Sequence, residues 1–501
     1  MISDPHASSA GLPVPTLPQA INNAACAHPN RIALVDDFRS VTWAELLQEC
    51  CDMVALLQKR SIKRLGIATG NEIGHLVAVI AAAAARIPAV PVAIDWTVDE
   101  IAKRFALAEV DLAVCSAEDM ARLEQNLTVA LLPSARETAL AAGDPQGLKL
   151  LPGGSFDDIH LIAPTGGTSG RLKFAYLSHA NTVARFVTQI IEFNLVRRGR
   201  FLCATPLFHG GGRSFSLCHL YLGGSVLLRQ HFDSHQWLTD VNGCSAAFLV
   251  PTMALRIVEI AKQPIASDIR VIISGARLDV DVAARWQATV GGMAYNYYGS
   301  VEAGAIAVSR LSDMVESGVK NSLGMPAFGV QLELHSARLL PDGTTWSEGA
   351  IRGPAVALGL ETELSGFEEL SSINPGDLLS LSSEEELRFG GRADDVVISG
   401  GVNIYPSLVE EAFQRMDGLP RVVALGVPSA QWGEELVLAI EGPSEQFPGE
   451  GDLRAFAARE LSRFSRPKRY CFMTRFPLTA AGKIDRRTLS AQLAERKSFF
   501  P

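Results

Sequence analysis

The chain is 501 residues long, with 48% apolar and 20% charged residues. That is an ordinary soluble globular mix, too long for one core, so two or three domains are expected. A net charge of −9 and a pI near 5.7 argue against non-specific nucleic-acid binding, while leaving room for a local basic pocket.

Eight scattered cysteines without a C-x-x-C pair read as reduced, mostly buried thiols of a cytoplasmic protein, not a disulfide frame or zinc site. Residues 1–18, rich in Pro, Ser and Gly, read as a loose arm with no targeting signal. The longest apolar run, 76–85, is too short to span a bilayer, so no membrane partner is expected.

A helix is predicted over 17–26 and strands over 31–35 and 40–43. Thr42 with Glu45 three residues on marks a capping box for a helix to about residue 59. A strand at 63–68, an alanine-rich helix at 72–86 and a buried strand at 88–94 follow. This alternation signals a parallel or mixed α/β sheet. Arg86 ends the apolar helix, where a cation faces the negative end of the dipole. Another strand is predicted at 111–115.

Leu161-Ile162-Ala163-Pro164 reads as a strand entering the loop Thr165-Gly166-Gly167-Thr168-Ser169-Gly170-Arg171-Leu172-Lys173. Glycines let backbone N–H groups approach an anion, hydroxyls add donors and lysine adds charge, so a polyphosphate is a suitable guest. A flexible loop is the plain alternative, and the spacing is not that of a Walker A loop. A helix is predicted over 180–191.

The strand at 201–205 runs into Pro206-Leu207-Phe208-His209-Gly210-Gly211-Gly212. Such strand ends are where open α/β sheets bind ligands. Strands are predicted at 225–228, 246–250 and 270–273, the last followed by Ser274-Gly275-Ala276. The run Tyr295-Asn296-Tyr297-Tyr298-Gly299-Ser300-Val301-Glu302-Ala303-Gly304 offers aromatic faces for a base and a carboxylate for Mg²⁺.

From about residue 331 short strands and turns suggest a small β subdomain closed by Pro375-Gly376-Asp377. Gly390-Gly391-Arg392-Ala393-Asp394-Asp395 reads as a hinge into an α+β unit with helices at 406–416 and 452–464. Ser399-Gly400-Gly401 repeats the anion-approach pattern. Phe464-Ser465-Arg466-Pro467-Lys468-Arg469 sets cations beside an aromatic, and Lys483 lies on a loop near the C-terminus.

Taken in order, these motifs resemble the adenylate-forming acyl/aryl-CoA synthetase superfamily over about residues 20–490, most closely ligases of the 4-chlorobenzoate:CoA type. The resemblance implies a large N-terminal domain of α/β sheet layers with a small β subdomain (1–390). A hinge follows at 391–395, centred on Asp394, and then a small mobile α+β C-terminal domain (396–501).

The resemblance implies catalytic roles for Lys483, Glu302, Thr168 and His209, with Glu302 as the Mg²⁺ ligand. It implies ATP or AMP contacts from Thr165, Gly166, Gly167, Ser169, Gly170 and Lys173. Ala276, Asn296, Tyr297, Tyr298, Gly299, Ser300 and Val301 join them, with Asp377 and Arg392 at the ribose. CoA contacts are implied for Arg86, Ser399, Gly400, Gly401, Trp432, Phe464, Arg466 and Lys468. The acid pocket is expected from Phe186, His209, Phe248, Ser274, Tyr297, Gly299 and Gly304, with no arginine or lysine evident for a second carboxylate.

The chain departs from the family pattern at Val301, where the family has a threonine, at Phe174, where it has a glycine, and at Leu172, where it has a proline. The expected reaction converts a small carboxylic acid, aromatic or of short to medium chain, to an acyl-AMP and then a CoA thioester. Loading of a carrier protein and a non-catalytic nucleotide-binding protein are the alternatives. A homodimer is left open.

Overall fold

The structure is a computed structural model that describes residues 14–125, 127–131, 148–165, 172–319, 321–339, 345–399, 402–416, 418–419, 421–429, 433–442, 448–478 and 484–495. Its contacts divide the chain into two compact units. One is Met1–Leu332 with Ile351–Ile373, and the other is Glu333–Ala350 with Asn374–Pro501.

In the first unit, one sheet runs through the strands Ser322–Pro326, Gly304–Arg310, Met293–Ser300, Arg270–Ser274, Ala246–Leu249, Arg200–Cys203, Ser225–Leu228, Ile32–Val35 and Ser40–Thr42. Its middle, from Met293–Ser300 to Ile32–Val35, is parallel, and the pairs at both ends are antiparallel. A second sheet orders Gly366–Glu369, Gly359–Thr362, Lys173–Ser178, Ile159–Thr165, Ala89–Val92, Leu65–Ala68, Leu112–Cys115 and Val129–Leu131. The buried parallel strands are short and apolar, as parallel sheets covered on both faces require.

The main core lies among the helices Leu17–Ala27, Trp43–Lys59, Ile73–Ala84, His179–Phe193 and Gly210–Tyr221. Ile73–Ala84 is apolar nearly all round and correspondingly buried. The expected capping box forms. The Thr42 N–H donates to Glu45 Oε2 at 2.7 Å, and the Glu45 N–H donates to Thr42 Oγ1 at 3.3 Å.

The second unit takes in the hairpin Asp377–Leu381 and Leu387–Arg392. It also holds a sheet of Val402–Ile404, Val397–Ser399, Gly433–Glu441, Arg421–Ser429 and Arg469–Met473. Apolar clusters cover that sheet, one including the helices Pro406–Phe413 and Glu450–Glu460, the other Arg486–Glu495.

The sequence put its boundary at 390, whereas the contact division falls at Asn374 and adds 333–350 to the second unit. The packing gives the reason. Trp346, Leu378 and Tyr405 share an apolar cluster, and the Ser407 hydroxyl donates to the Gly390 carbonyl. The mixed α/β architecture expected from the sequence is the one observed. Among the described residues no helix is long and apolar enough to cross a membrane, and the eight cysteines are free thiols, all but Cys26 buried.

Candidate active site

The glycine-rich loop connects two antiparallel strands, with Thr165 opposite Lys173 and Pro164 opposite Phe174. Residues 166–171 lie outside the described residues, so Gly166, Gly167, Thr168, Ser169 and Gly170 are not placed. At the loop's entry Thr165 Oγ1 is buried and has no hydrogen-bond partner among the described residues. Lys173 is partly exposed. Phe174 is fully buried among Val90, Val92, Ile162 and Tyr176, so its ring fills the core beneath the sheet.

The sequence put His209 and three glycines at the end of a buried strand. His209 precedes the helix Gly210–Tyr221, and the glycines form its first turn. Glycine is a poor helix former, but close packing demands it here. A Cβ at Gly211 would strike the Phe248 ring, and one at Gly212 would sit 2.7 Å from the Thr205 carbonyl. The His209 ring lies 3.9 Å from that of Phe208, which in turn lies 5.6 Å from Trp96. Val301 Cγ2 is 3.9 Å from where a Gly210 Cβ would stand.

Parallel pairing aligns Ser274 with Tyr297 and Ile273 with Asn296. Ser274 and Asn296 are buried, and Ala276 is exposed. The Tyr297 ring meets Phe193 at 5.9 Å and Phe215 at 6.2 Å. Burial pushes its phenol up to about 12. Phe186 is fully buried and tilts on Tyr221 at 5.2 Å.

A bulge between Tyr298 and Gly299 bends this strand into the turn before Gly304, and the Ser300 hydroxyl accepts from the Ala303 N–H at 3.0 Å. Gly304 has φ +75°, a left-handed conformation suited to glycine.

Two arginines that the sequence reading missed stand here. Arg185 Nε donates to the Ala355 carbonyl at 2.9 Å and its Nη2 to the Glu302 carbonyl at 3.2 Å. Arg213 is 3% exposed, and its Nη1 donates to the carbonyls of Leu207 at 3.0 Å and Phe208 at 2.6 Å. The available signal was a cation at each position within a helix otherwise buried at its neighbours, Val183 and Phe186 for one, Gly212 and Phe215 for the other.

The Glu302 peptide is fixed by Arg185 and by the Ala357 N–H, which donates to its carbonyl at 2.8 Å. Its carboxylate makes no hydrogen bond or ion pair with another described residue. Among the described residues no cluster of three or more His, Cys, Asp or Glu side chains forms a metal cage. A single carboxylate suits Mg²⁺, which takes one or two carboxylates and completes its shell with phosphates and water.

In the second unit Asp377 is buried, and Arg392 Nη1 donates to its Oδ1 at 2.8 Å and to the Pro375 carbonyl at 2.6 Å. Asp394 lies in the short turn Ala393–Asp395, its side chain outside the described residues. Ser399 is buried and paired with Val402. Arg466 donates to the carbonyls of Leu461 at 3.1 Å and Ala458 at 3.0 Å. The Lys468 N–H joins the Leu436 carbonyl at 2.8 Å. Gly400, Gly401, Trp432 and Lys483, and the Phe464 side chain, lie outside the described residues.

In the first unit Arg86 has φ +62° and grips Asp158 with two 2.8 Å bonds.

The AMP-binding enzyme family model matches residues 21–360, and that of the AMP-binding enzyme C-terminal domain matches 408–483. A feruloyl-CoA synthase from an Amycolatopsis species is 31% identical over 376 residues, 71% of this chain and 75% of that protein. Two solved structures share the fold. The amide bond synthetase McbA from Marinactinospora thermotolerans has a TM-score of 0.82 at 22% identity, over 95% of this chain and 99% of its own. The O-succinylbenzoate coenzyme A synthetase of Bacillus subtilis, in complex with ATP and magnesium ion, scores 0.79 at 21% identity, over 94% and 98%. With both family models matched in order along one mixed α/β chain, this protein belongs to the AMP-binding enzyme family, within the adenylate-forming acyl/aryl-CoA ligase superfamily.

Proposed function

We propose that the protein is an acid:CoA ligase that adenylates a small carboxylic acid with ATP and transfers the acyl group to CoA. The observation that carries this reading is the order of the glycine-rich loop and the Glu302 turn within the first family region, then the Asp377–Arg392 pair between that region and the second. The feruloyl-CoA synthase relative supports an acyl-CoA product. The neighbour solved with ATP and magnesium supports ATP as the co-substrate.

In the first half-reaction the acid carboxylate attacks the α-phosphorus of ATP and pyrophosphate leaves. Thr165, Lys173 and the loop between them hold the phosphates, and Glu302 is the carboxylate available for Mg²⁺. The metal, when bound, neutralises phosphate charge as a Lewis acid. Asp377, oriented by Arg392, accepts from the ribose hydroxyls. Lys483 donates to the α-phosphate oxygens as charge develops there.

In the second half-reaction the CoA thiol attacks the acyl carbon and AMP leaves. Ser399 and the segment after it, with Arg466 and Lys468, serve this step once the C-terminal region has turned about Asp394.

A second reading, transfer to a carrier-protein arm or another acceptor, is favoured by one observation. Arg86, expected at the CoA nucleotide, is engaged with Asp158, and Arg466 with backbone carbonyls. The test is release of AMP and pyrophosphate over a panel of acids, with and without CoA, with thioesters read by mass. A CoA thioester that disappears in Lys483→Ala supports the ligase. Acyl-AMP formed without thioester moves the acceptor to a carrier protein.

A further inference from the structure

Among the described residues Arg185 and Arg213 are buried cations with no carboxylate bonded to them. Neither forms an ion pair with a described carboxylate. Both side-chain hydrogen bonds of Arg213 start from Nη1, so its Nε and Nη2 have no hydrogen-bond partner among the described residues. Arg185 uses Nε and Nη2 on carbonyls and keeps Nη1. Carbonyl oxygens compensate a buried guanidinium only in part, and a buried charge without a counter-ion is costly.

The groups around the two supply that counter-ion only in part. Glu302 and Tyr297 face Arg185, but Tyr297 is held neutral by burial, and the Glu302 carboxylate favours the Arg185 cation only from a distance, its hydrogen bond to Arg185 being through the carbonyl. His75 and His160 feel Arg213 and are held neutral by burial. Each arginine instead faces the other: burial lowers the pKa of Arg213 to about 9, and the charge of Arg185 adds to that. A guanidinium remains cationic at neutral pH despite this.

Their position ties them to the acid pocket. Arg185 Nε lies 3.3 Å from where a Gly304 Cβ would stand. Arg213 holds the 207–208 carbonyls immediately before His209, and its own N–H donates to the His209 carbonyl at 3.3 Å. The Nε–Nη2 edge of Arg213 and the remaining Nη1 of Arg185, whose charges feel one another, match a carboxylate.

We infer that Arg185 and Arg213 bind a second carboxylate on the acid substrate, so that the enzyme prefers dicarboxylic acids in which only one carboxyl is activated. This rests on the acid-activating reading above and narrows its substrate class. It also revises the sequence expectation that no cation serves a second carboxylate. The competing role is purely structural, with Arg213 a clamp on the 207–208 carbonyls.

The test compares matched acids on the full-length protein: benzoate against terephthalate, and hexanoate against adipate. Pyrophosphate release gives kcat/KM, and the thermal shift in the presence of AMP gives binding without turnover. The expected result is a diacid-to-monoacid ratio of about 10 or more, falling about 10- to 100-fold in Arg185→Met and Arg213→Met and recovering in part in Arg185→Lys. Monoacids equal to or better than their diacids on the unaltered protein overturn the inference, whether or not the variants fold. So does an equal loss on both acid classes in the variants, which is the signature of a structural clamp. If no acid releases pyrophosphate, the acid-activating reading fails. The thermal shifts then decide the anion site separately: larger shifts with diacids uphold it, and equal shifts reject it.

Discussion

Lys173 and Phe174 are adjacent where a strand leaves the phosphate loop, yet only Phe174 is fully buried. Its departure from the family glycine is therefore a matter of core packing. Phe174→Ala is expected to lower stability by about 3–5 kcal/mol, read as a drop in the denaturant midpoint. Lys173→Ala should leave that midpoint nearly unchanged and reduce kcat/KM for ATP about 10- to 100-fold.

Val301 is different, because it stands beside Gly210 and brings no hydroxyl. Val301→Thr is expected to raise the adenylation rate, by about 10-fold at least if the hydroxyl reaches phosphate, measured by pyrophosphate release. Glu302 and Asp377 stand out in the sequence as candidates because their neighbours are distinctive. Arg185 and Arg213 do not, since only the fold reveals that two helical positions 28 residues apart hold buried charges that feel one another, each bonded to carbonyls.

At the scale of elements, hydrophobic runs with clear punctuation were readable. The helix Leu17–Ala27, the capped helix Trp43–Lys59 and the strand Arg270–Ser274 fall where the sequence predicted them. The strand Lys173–Ser178 went unread because it follows the glycine-rich loop with no turn signal of its own. The helix Val98–Leu107 was also missed, although Thr97 caps it and its N–H donates to Glu100 Oε2 at 3.0 Å.

The triple glycine hides the start of its helix for a physical reason. Local propensity speaks for a loop, and contact with Phe248 and Thr205 requires glycine in a helix. Gly211→Ala would force the Phe248 ring aside. It is expected to raise KM for the acid more than KM for ATP, as measured by initial rates with each substrate varied in turn.

At the scale of the whole molecule, buried histidines link stability to pH. Burial holds His75 at about 3 and His219 at about 4, and keeps His160 and His179 below the usual range. The unfolded chain, with histidines near 6.5, binds more protons below that pH than the folded one. Stability contributed by the neutral histidines is therefore present above about pH 6.5 and lost as pH falls toward about 4. Urea midpoints are expected to drop steadily over that window, and replacing His219 with Phe should flatten the slope.

The division into α/β layers and a separate C-terminal unit was legible from the alternation of elements. The membership of 333–350 and 374–390 was not, because it depends on Trp346 meeting Leu378 and Tyr405.

The antiparallel pairing of Lys173–Ser178 with Gly359–Thr362, Tyr176 opposite Gly359, has a consequence for synthesis. An emerging chain must grow by roughly 180 residues, about 10–40 s at ribosomal speed, before that strand is covered on its second side. Throughout this interval an apolar edge, Phe174 to Leu177, is open to pairing with other nascent chains. The finished protein closes the sheet with Gly366–Glu369, whose burial pattern is exposed and whose last two residues are glutamates, a terminus that repels further strands. Chains truncated near residue 340 therefore keep the sticky edge without its guard, and are expected in inclusion bodies or held by chaperones.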